Sequence, residues 1–148
     1  MSQASPSGLL HSAPLISLLD KAQVDRTSPI GVTGPSGLSA LLWLCRHGFE
    51  QVGYLKPGCT QEHPDALLVA HTCDVEALDR LLVHGPYVRE GGVLIFQSPL
   101  PLDRADAGTD PVHRLLERRG YTVERCLRGG HRELTVARRR RRIWAQAA

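Results

Sequence analysis

The sequence predicts an α/β protein with a mostly parallel sheet of about six strands that ends in an antiparallel hairpin. Three observations predict this class. Apolar runs typical of strands alternate with segments that have the apolar periodicity of helices. The turn Gly34-Pro35-Ser36-Gly37 joins a short strand to an apolar helix, a common entry to nucleotide sites in α/β proteins. The pair Gly129-Gly130 separates the last two strand-like runs, as in a hairpin.

The first half of the chain is predicted to contain two helices and two strands. A lead-in rich in Ser, Gly and Pro precedes a helix over residues 12–22, whose leucines share one face. The first strand covers Pro29–Thr33. The helix after the glycine turn is apolar nearly all round, which indicates burial against a sheet, and it ends at Gly48. Phe49–Leu55 forms the second strand.

The second half is predicted to contain four strands and two helices. The third strand is a near-continuous apolar run, typical of the centre of a parallel sheet. In chain order the predicted elements are a strand over Asp65–His71, a helix over Val75–His84, a strand over Val93–Gln97, a helix over Pro111–Arg119, and two strands over Tyr121–Cys126 and Glu133–Arg138.

Composition and length are those of an ordinary globular domain. The chain has 148 residues, with 42% hydrophobic and 22% charged residues, which suits a single core. No apolar run is as long as a membrane span, and the first residues lack the basic segment of a secretory signal. We therefore expect a cytoplasmic protein without membrane contact. Cys45, Cys59, Cys73 and Cys126 form no ligand-type spacing, which predicts neither a metal site nor a disulfide framework.

The charge distribution sets the C-terminal end apart. The net charge is +3, yet five arginines are consecutive at Arg138–Arg142. We divide the chain into a lead-in and helix (1–28), a main domain (29–138) and a basic tail (139–148). The tail is interpreted as a solvated segment beyond the last strand, because no aromatic residues interleave with the arginines as base-stacking platforms. Contact with nucleic acid through Arg138–Arg142 is the alternative.

Over residues 28–138 the order of elements resembles the class I S-adenosylmethionine-dependent methyltransferases. The likeness rests on the glycine turn, on the strand that begins at Asp65, on the turn Val88–Leu94 and on the closing segment Leu115–Val123. It implies a Rossmann-like, methyltransferase-type three-layer sandwich with S-adenosylmethionine as the cofactor. The residues that it assigns to the cofactor are Thr33, Gly34, Ser36, Gly37 and Leu55. The other interpretation of the glycine turn is a plain connection between strand and helix.

The chain departs from this family at the cofactor positions. Gly31 stands near the acidic position of the first strand, and Pro35, which has no N–H, replaces one of the glycines. No acidic residue follows Leu55 at the end of the second strand, where the family grips the ribose hydroxyls. The nine residues Lys56–Pro64 replace a helix, a strand and a second helix. We therefore expect weak or absent cofactor binding and a mostly extended crossover.

Two polar residues at the carboxyl end of the third strand are candidate catalytic residues. Ligands of open α/β sheets bind at that edge, where His71 could act as a base and Asp74 could orient a polar substrate. The alternative for Asp74 is to cap the helix that begins at Val75.

Three functions remain open from the sequence. The chain is predicted first to be a degenerate methyltransferase-fold protein that does not methylate and serves as a binding or structural partner. The second hypothesis is an active small methyltransferase with an open pocket, and the third is a nucleic-acid-associated protein. Loss of the crossover elements bares the Phe49–Leu55 edge, so we expect a homodimer or a protein partner there.

Overall fold

The computed structural model describes residues 13–58, 63–99, 111–129 and 132–141. Within them it has the predicted order of helices and strands. The elements are α1 (Ala13–Lys21), β1 (Ile30–Thr33), α2 (Gly37–Arg46), β2 (Val52–Tyr54), β3 (Ala66–Thr72), α3 (Val75–His84), β4 (Val93–Pro99), α4 (Pro111–Arg118), β5 (Tyr121–Gly129) and β6 (Arg132–Arg139). None of the described helices combines the length and apolarity needed to cross a lipid bilayer.

The six strands form one mixed sheet in the order β2-β1-β3-β4-β6-β5. The neighbours from β2 to β4 pair in parallel. Strand β6 is antiparallel to both β4 and β5, so it alone runs against the other five. The prediction of a mostly parallel sheet with a C-terminal antiparallel hairpin is therefore confirmed. β1 lies between β2 and β3, and β2 is an edge strand, as expected.

Side chains alternate across the sheet and bury two separate apolar cores. On one face Ile30 and Val32 pack with α1 and α2, and the α1 side chains Leu15 and Leu19 are fully buried there. On the other face Leu67 and its strand neighbours pack with α3 and α4. Helices therefore cover both faces, which gives the three-layer sandwich that the sequence predicted.

Strand β2 is shorter than predicted, because Phe49 belongs to the end of α2 rather than to the sheet. The N–H of Phe49 donates to the carbonyl of Leu44, its ring is buried in the α1/α2 core, and the Arg26 guanidinium lies 4.4 Å above the ring centroid. Only Val52–Tyr54 pair with β1. In the crossover from β2 to β3, the described residues 56–58 and 63–64 contain no helix.

The prediction of a solvated tail over 139–148 is wrong for its first two residues, Arg139 and Arg140, whose guanidinium groups, like that of Arg138, donate to carbonyls of the fold. β6 continues to Arg139, and Arg138 donates to the carbonyls of Gly91 (2.7 Å) and Ala22 (3.0 Å) and pairs with Glu124 at 2.6 Å. Arg139 donates to a carbonyl of the turn before β4, and Arg140 to two carbonyls around the end of α4. These guanidinium groups hold separate elements together, because each offers several donors in a fixed plane. Arg142 lies outside the described residues.

Candidate functional site

The carboxyl ends of β1, β2 and β3 open onto a cavity of about 500 Å³ beside α3. This is the edge at which open α/β sheets bind ligands. Its walls come from the three strand ends, the start of the crossover and one face of α3. The lining residues are Thr33, Gly34, Pro35, Tyr54, Pro57, Gly58, Val69, His71, Cys73, Ala77, Arg80, Leu81, His84 and Gly85. We call this space the edge cavity.

The glycine turn contains an internal backbone hydrogen bond, so one of its N–H groups is not available to a ligand. The N–H of Gly37 donates to the carbonyl of Gly34 at 3.0 Å, and Pro35 has no N–H. Ser36 precedes α2, and its side chain makes no capping hydrogen bond. Gly34 has a φ of +105°, a conformation that favours glycine. Two of the four turn residues therefore have no backbone donor to offer a ligand.

His71 reaches into the edge cavity from the end of β3. Its Nδ1 is buried with no hydrogen-bond partner among the described residues, and its Nε2 lies 3.7 Å from the Cys73 sulfur. Burial lowers the pKa of His71 below its ordinary value of 6.5, so the ring is neutral at pH 7. Because Nδ1 is buried, a ligand could form a hydrogen bond with it only after the ring had turned toward the cavity.

Cys73, the next cavity residue along the chain, is not a nucleophile at neutral pH. Burial, with a smaller contribution from the charge of Asp74, raises the pKa of its thiol to about 12. The thiolate is the reactive form of cysteine, so this group stays a protonated, apolar part of the wall.

Asp74 caps α3, as the capping interpretation predicted. Its carboxylate accepts a hydrogen bond from the N–H of Ala77 at 2.8 Å, and its backbone is extended as N-cap residues require. The side chain is exposed and is not part of the edge-cavity wall. The structure therefore brings His71, but not Asp74, to the cavity together with Thr33 and Gly34.

Leu55, which the likeness to methyltransferases assigned to the cofactor, does not line the edge cavity. Its side chain is buried on the α3/α4 face. A Cβ added to Gly31 would lie 2.6 Å from Leu55 Cδ1, so β1 has no room there for a side chain. Leu55 and Gly31 line a separate hollow of about 530 Å³ beside β2, not the edge cavity.

The edge cavity has a basic and apolar wall. Among the described residues that line it there is no carboxylate, whereas Arg80 and His84 approach it from α3. Both were missed from the sequence, although Ala77, Leu81 and His84 share a helical face, which is a readable signal. Tyr54 was missed as well. Its ring lies against Gly37, where an added Cβ would be 2.6 Å from Tyr54 Cε1.

Comparison with known proteins identifies the fold. The sequence matches no protein-family model and no curated protein. The structure is similar to a ribosomal protein L11 methylase from Lactobacillus delbrueckii subsp. bulgaricus, with a TM-score of 0.61 and 12% identity over 91% of this chain and 79% of that one. It is also similar to a magnesium protoporphyrin IX methyltransferase from Synechocystis PCC 6803 with bound SAH (TM-score 0.55, 10% identity, 94% and 90% covered) and to a DhpI–SAH complex (0.54, 12%, 94% and 90%).

Proposed function

We propose that this chain, which has the fold of class I S-adenosylmethionine-dependent methyltransferases, does not methylate and acts as a binding or structural partner of another protein. The observation that carries the proposal is the wall of the edge cavity. Within residues 13–58, 63–99, 111–129 and 132–141, the side chains that line it include no carboxylate and are cationic or neutral. S-adenosylmethionine carries a sulfonium, an ammonium and two ribose hydroxyls, which favour acidic partners, and only its single carboxylate suits a basic wall.

The energetic consequence is a large loss of affinity. A hydrogen bond to a charged group contributes roughly 1.5–3 kcal/mol, which corresponds to about one to two decades of affinity. The turn adds a further loss, because Gly37 donates to Gly34 and Pro35 has no donor. We therefore expect a dissociation constant for S-adenosylmethionine in the millimolar range or weaker.

An active small methyltransferase is the second candidate, and one observation favours it. The edge cavity is large enough for part of a nucleoside, and His71 places a buried, unpartnered Nδ1 in its wall. A neutral imidazole could take a proton from a substrate there if the ring turned to bring a nitrogen into the cavity. This candidate requires cofactor binding in the same cavity, so one experiment separates the two.

The experiment is an amide NMR titration of the full chain with S-adenosylmethionine and S-adenosylhomocysteine. We expect no saturable shifts at Gly34, Ser36 or Gly37. Saturable shifts that disappear in Ala77→Phe, which fills the edge cavity, and persist in Val83→Phe would support the active enzyme. Val83 lies on the same helix, is exposed and does not line the cavity, so it is the matched control.

We propose the β2 edge as the surface for the partner, with a second copy of this chain as the first expectation. β2 pairs on one side only. Three of the four large apolar side chains exposed in the described ranges, Leu38, Leu42 and Tyr54, belong to β2 and the adjoining α2. Edge strands with apolar neighbours favour pairing. Light scattering at high concentration should show a dimer that Val52→Lys converts to monomer, whereas a monomer unaffected by Val52→Lys would contradict the dimer.

Nucleic-acid binding through Arg138–Arg142 is the weakest of the three functions. Arg138, Arg139 and Arg140 already donate to backbone carbonyls of the fold, which takes up donors that phosphates would need. We expect binding at low salt that vanishes near physiological ionic strength.

A further inference from the structure

Three potential metal ligands meet beneath α4, at the opposite end of the sheet from β2. They are His113, Cys126 and Glu133, whose ligand atoms all lie within 4.8 Å of one another. The residues are distant in sequence, and the spacing of the cysteines gave no sign of the cluster. We propose that these three side chains form a binding site for a single zinc ion.

The fold places each ligand independently. Cys126 pairs with Thr135 and Glu133 with Arg128 across the β5–β6 hairpin, so all four side chains project from one face. α4 packs on that face through Val112 and Leu115, and His113, the residue after Val112, contacts the hairpin residues Cys126 and Glu133. The ligands therefore come from a helix and two strands that are held by apolar packing.

The distances suit tetrahedral coordination. With bonds of about 2.3 Å to sulfur and about 2.0–2.1 Å to nitrogen, tetrahedral angles put these two atoms about 3.6 Å apart. The Cys126 sulfur lies 3.6 Å from Nε2 of His113. The same nitrogen lies 3.5 Å from Oε1 of Glu133, against about 3.4 Å for an ideal site. The third separation, between the Cys126 sulfur and a Glu133 oxygen, is within 4.8 Å, so these two side chains would move closer together around an ion.

The surroundings support the ligands from outside. Glu133 is 4% exposed, and Arg128 contacts its other oxygen, Oε2, at 3.1 Å, which leaves Oε1 directed at His113. The buried hydroxyl of Thr135 lies 4.0 Å from the Cys126 sulfur, close enough for the hydroxyl to donate a hydrogen bond to a Cys126 thiolate. Such outer contacts orient metal ligands. The alternative is that Glu133 only forms an ion pair with Arg128, with His113 as a neighbour and no metal bound. Absence of a thiolate band in the test would show this alternative.

The binding step is a ligand exchange. Zinc takes the thiolate of Cys126, the neutral imidazole of His113 and the carboxylate of Glu133, the thiol proton passes to solvent, and waters leave the ion. A mixed thiolate and imidazole set favours zinc over magnesium or calcium. One water completes four-coordination. The ion would join α4 to the hairpin, so its effect is measurable as stability and does not depend on the proposed function at the edge cavity.

The test titrates the full-length protein with Co²⁺, whose thiolate charge-transfer and tetrahedral d–d bands report the ligand set. We expect both bands at one equivalent, displacement by Zn²⁺, and release of about one proton per ion where the thiol starts protonated. Cys126→Ser should remove the thiolate band. Cys45→Ser should leave it intact, because Cys45 is an exposed thiol on α2, far from the cluster in sequence.

Absence of a thiolate band in the wild-type protein would overturn the proposal, whether or not any variant folds. A band that survives in Cys126→Ser, or that is lost in Cys45→Ser, would overturn it as well and assign the metal to surface groups. Thr135→Val supplies a milder variant of nearly the same shape, and we expect it to weaken Zn²⁺ binding by about 10–100-fold.

Discussion

The imidazole of His71 packs directly against the backbone of Gly34. A Cβ added to Gly34 would lie 2.6 Å from His71 Nδ1 and 3.2 Å from the amide nitrogen of Ala70. The turn after β1 and the end of β3 therefore fit together only because residue 34 has no side chain. This contact fixes the ring at the edge cavity and explains the glycine without any cofactor.

Replacing Gly34 should destabilise the protein through two separate effects, which two other glycines can distinguish. Gly58 also has a positive φ but has open space around its Cα, and Gly53 has open space without a positive φ. We expect Gly53→Ala to be nearly neutral, Gly58→Ala to cost about 1–2 kcal/mol, and Gly34→Ala to cost clearly more. Urea unfolding measures all three. Equal losses for Gly34→Ala and Gly58→Ala would contradict the close contact with His71.

The burial of His71 should make stability depend on pH. Its pKa in the folded protein is lower than the ordinary 6.5, so the unfolded chain takes up a proton that the folded protein does not. The free energy of unfolding should therefore fall as pH drops through 6.5 towards the folded pKa. His71→Asn should flatten this part of the profile. A profile unaffected by His71→Asn would refute the assignment.

Two variants of Asp74 separate its role as the N-cap of α3 from any effect of its negative charge. The hydrogen bond to the N–H of Ala77 predicts that Asp74→Ala lowers the free energy of unfolding by about 1 kcal/mol, since an N-cap is lost. Asn is an equally good N-cap, so Asp74→Asn should retain stability. Thermal unfolding of both variants measures the difference. Equal destabilisation by Ala and Asn would show that the carboxylate charge, rather than the cap, matters.

The arginine run should contribute to folding through Arg138. This side chain links β6 to the end of α1, to the turn before β4 and to Glu124. Hydrogen bonds of a charged donor predict a loss of roughly 2 kcal/mol or more for Arg138→Gln. Arg141→Gln, at the exposed end of the described chain, should change stability by less than about 0.5 kcal/mol. Denaturant unfolding that gives the same result for both variants would count against the structural role.

Local patterns predicted the elements that depend on local physics. The apolar run of β3 and the cap and periodicity of α3 gave both elements nearly residue for residue. β2 was predicted too long, because nothing local shows that Phe49 turns into the core instead of continuing the strand. The extent of β6 was underestimated for a similar reason. A run of arginines predicts a solvated segment, because the carbonyls that accept its hydrogen bonds, such as those of Gly91 and Ala22, are distant in sequence and come close only in the fold.

The candidate sites also divide into residues that local sequence could place and residues that only the packing of distant elements brings together. Thr33, Gly34 and His71 could be placed at the ligand-binding edge from the chain order of strands and turns alone. Arg80 and Tyr54 reach the same cavity from a helix and an edge strand, and their convergence depends on the packing of separate elements. The cluster of His113, Cys126 and Glu133 depends on the hairpin register as well, which no spacing in the sequence contains.

Calorimetric titration of the wild-type protein with S-adenosylmethionine and S-adenosylhomocysteine tests the central claim most directly. A cavity wall whose described residues include no carboxylate, and a turn whose Gly37 donates to Gly34, predict no saturable heat below millimolar ligand. A micromolar dissociation constant at one ligand per chain, about three decades tighter than expected, would contradict the non-methylating account and establish cofactor binding.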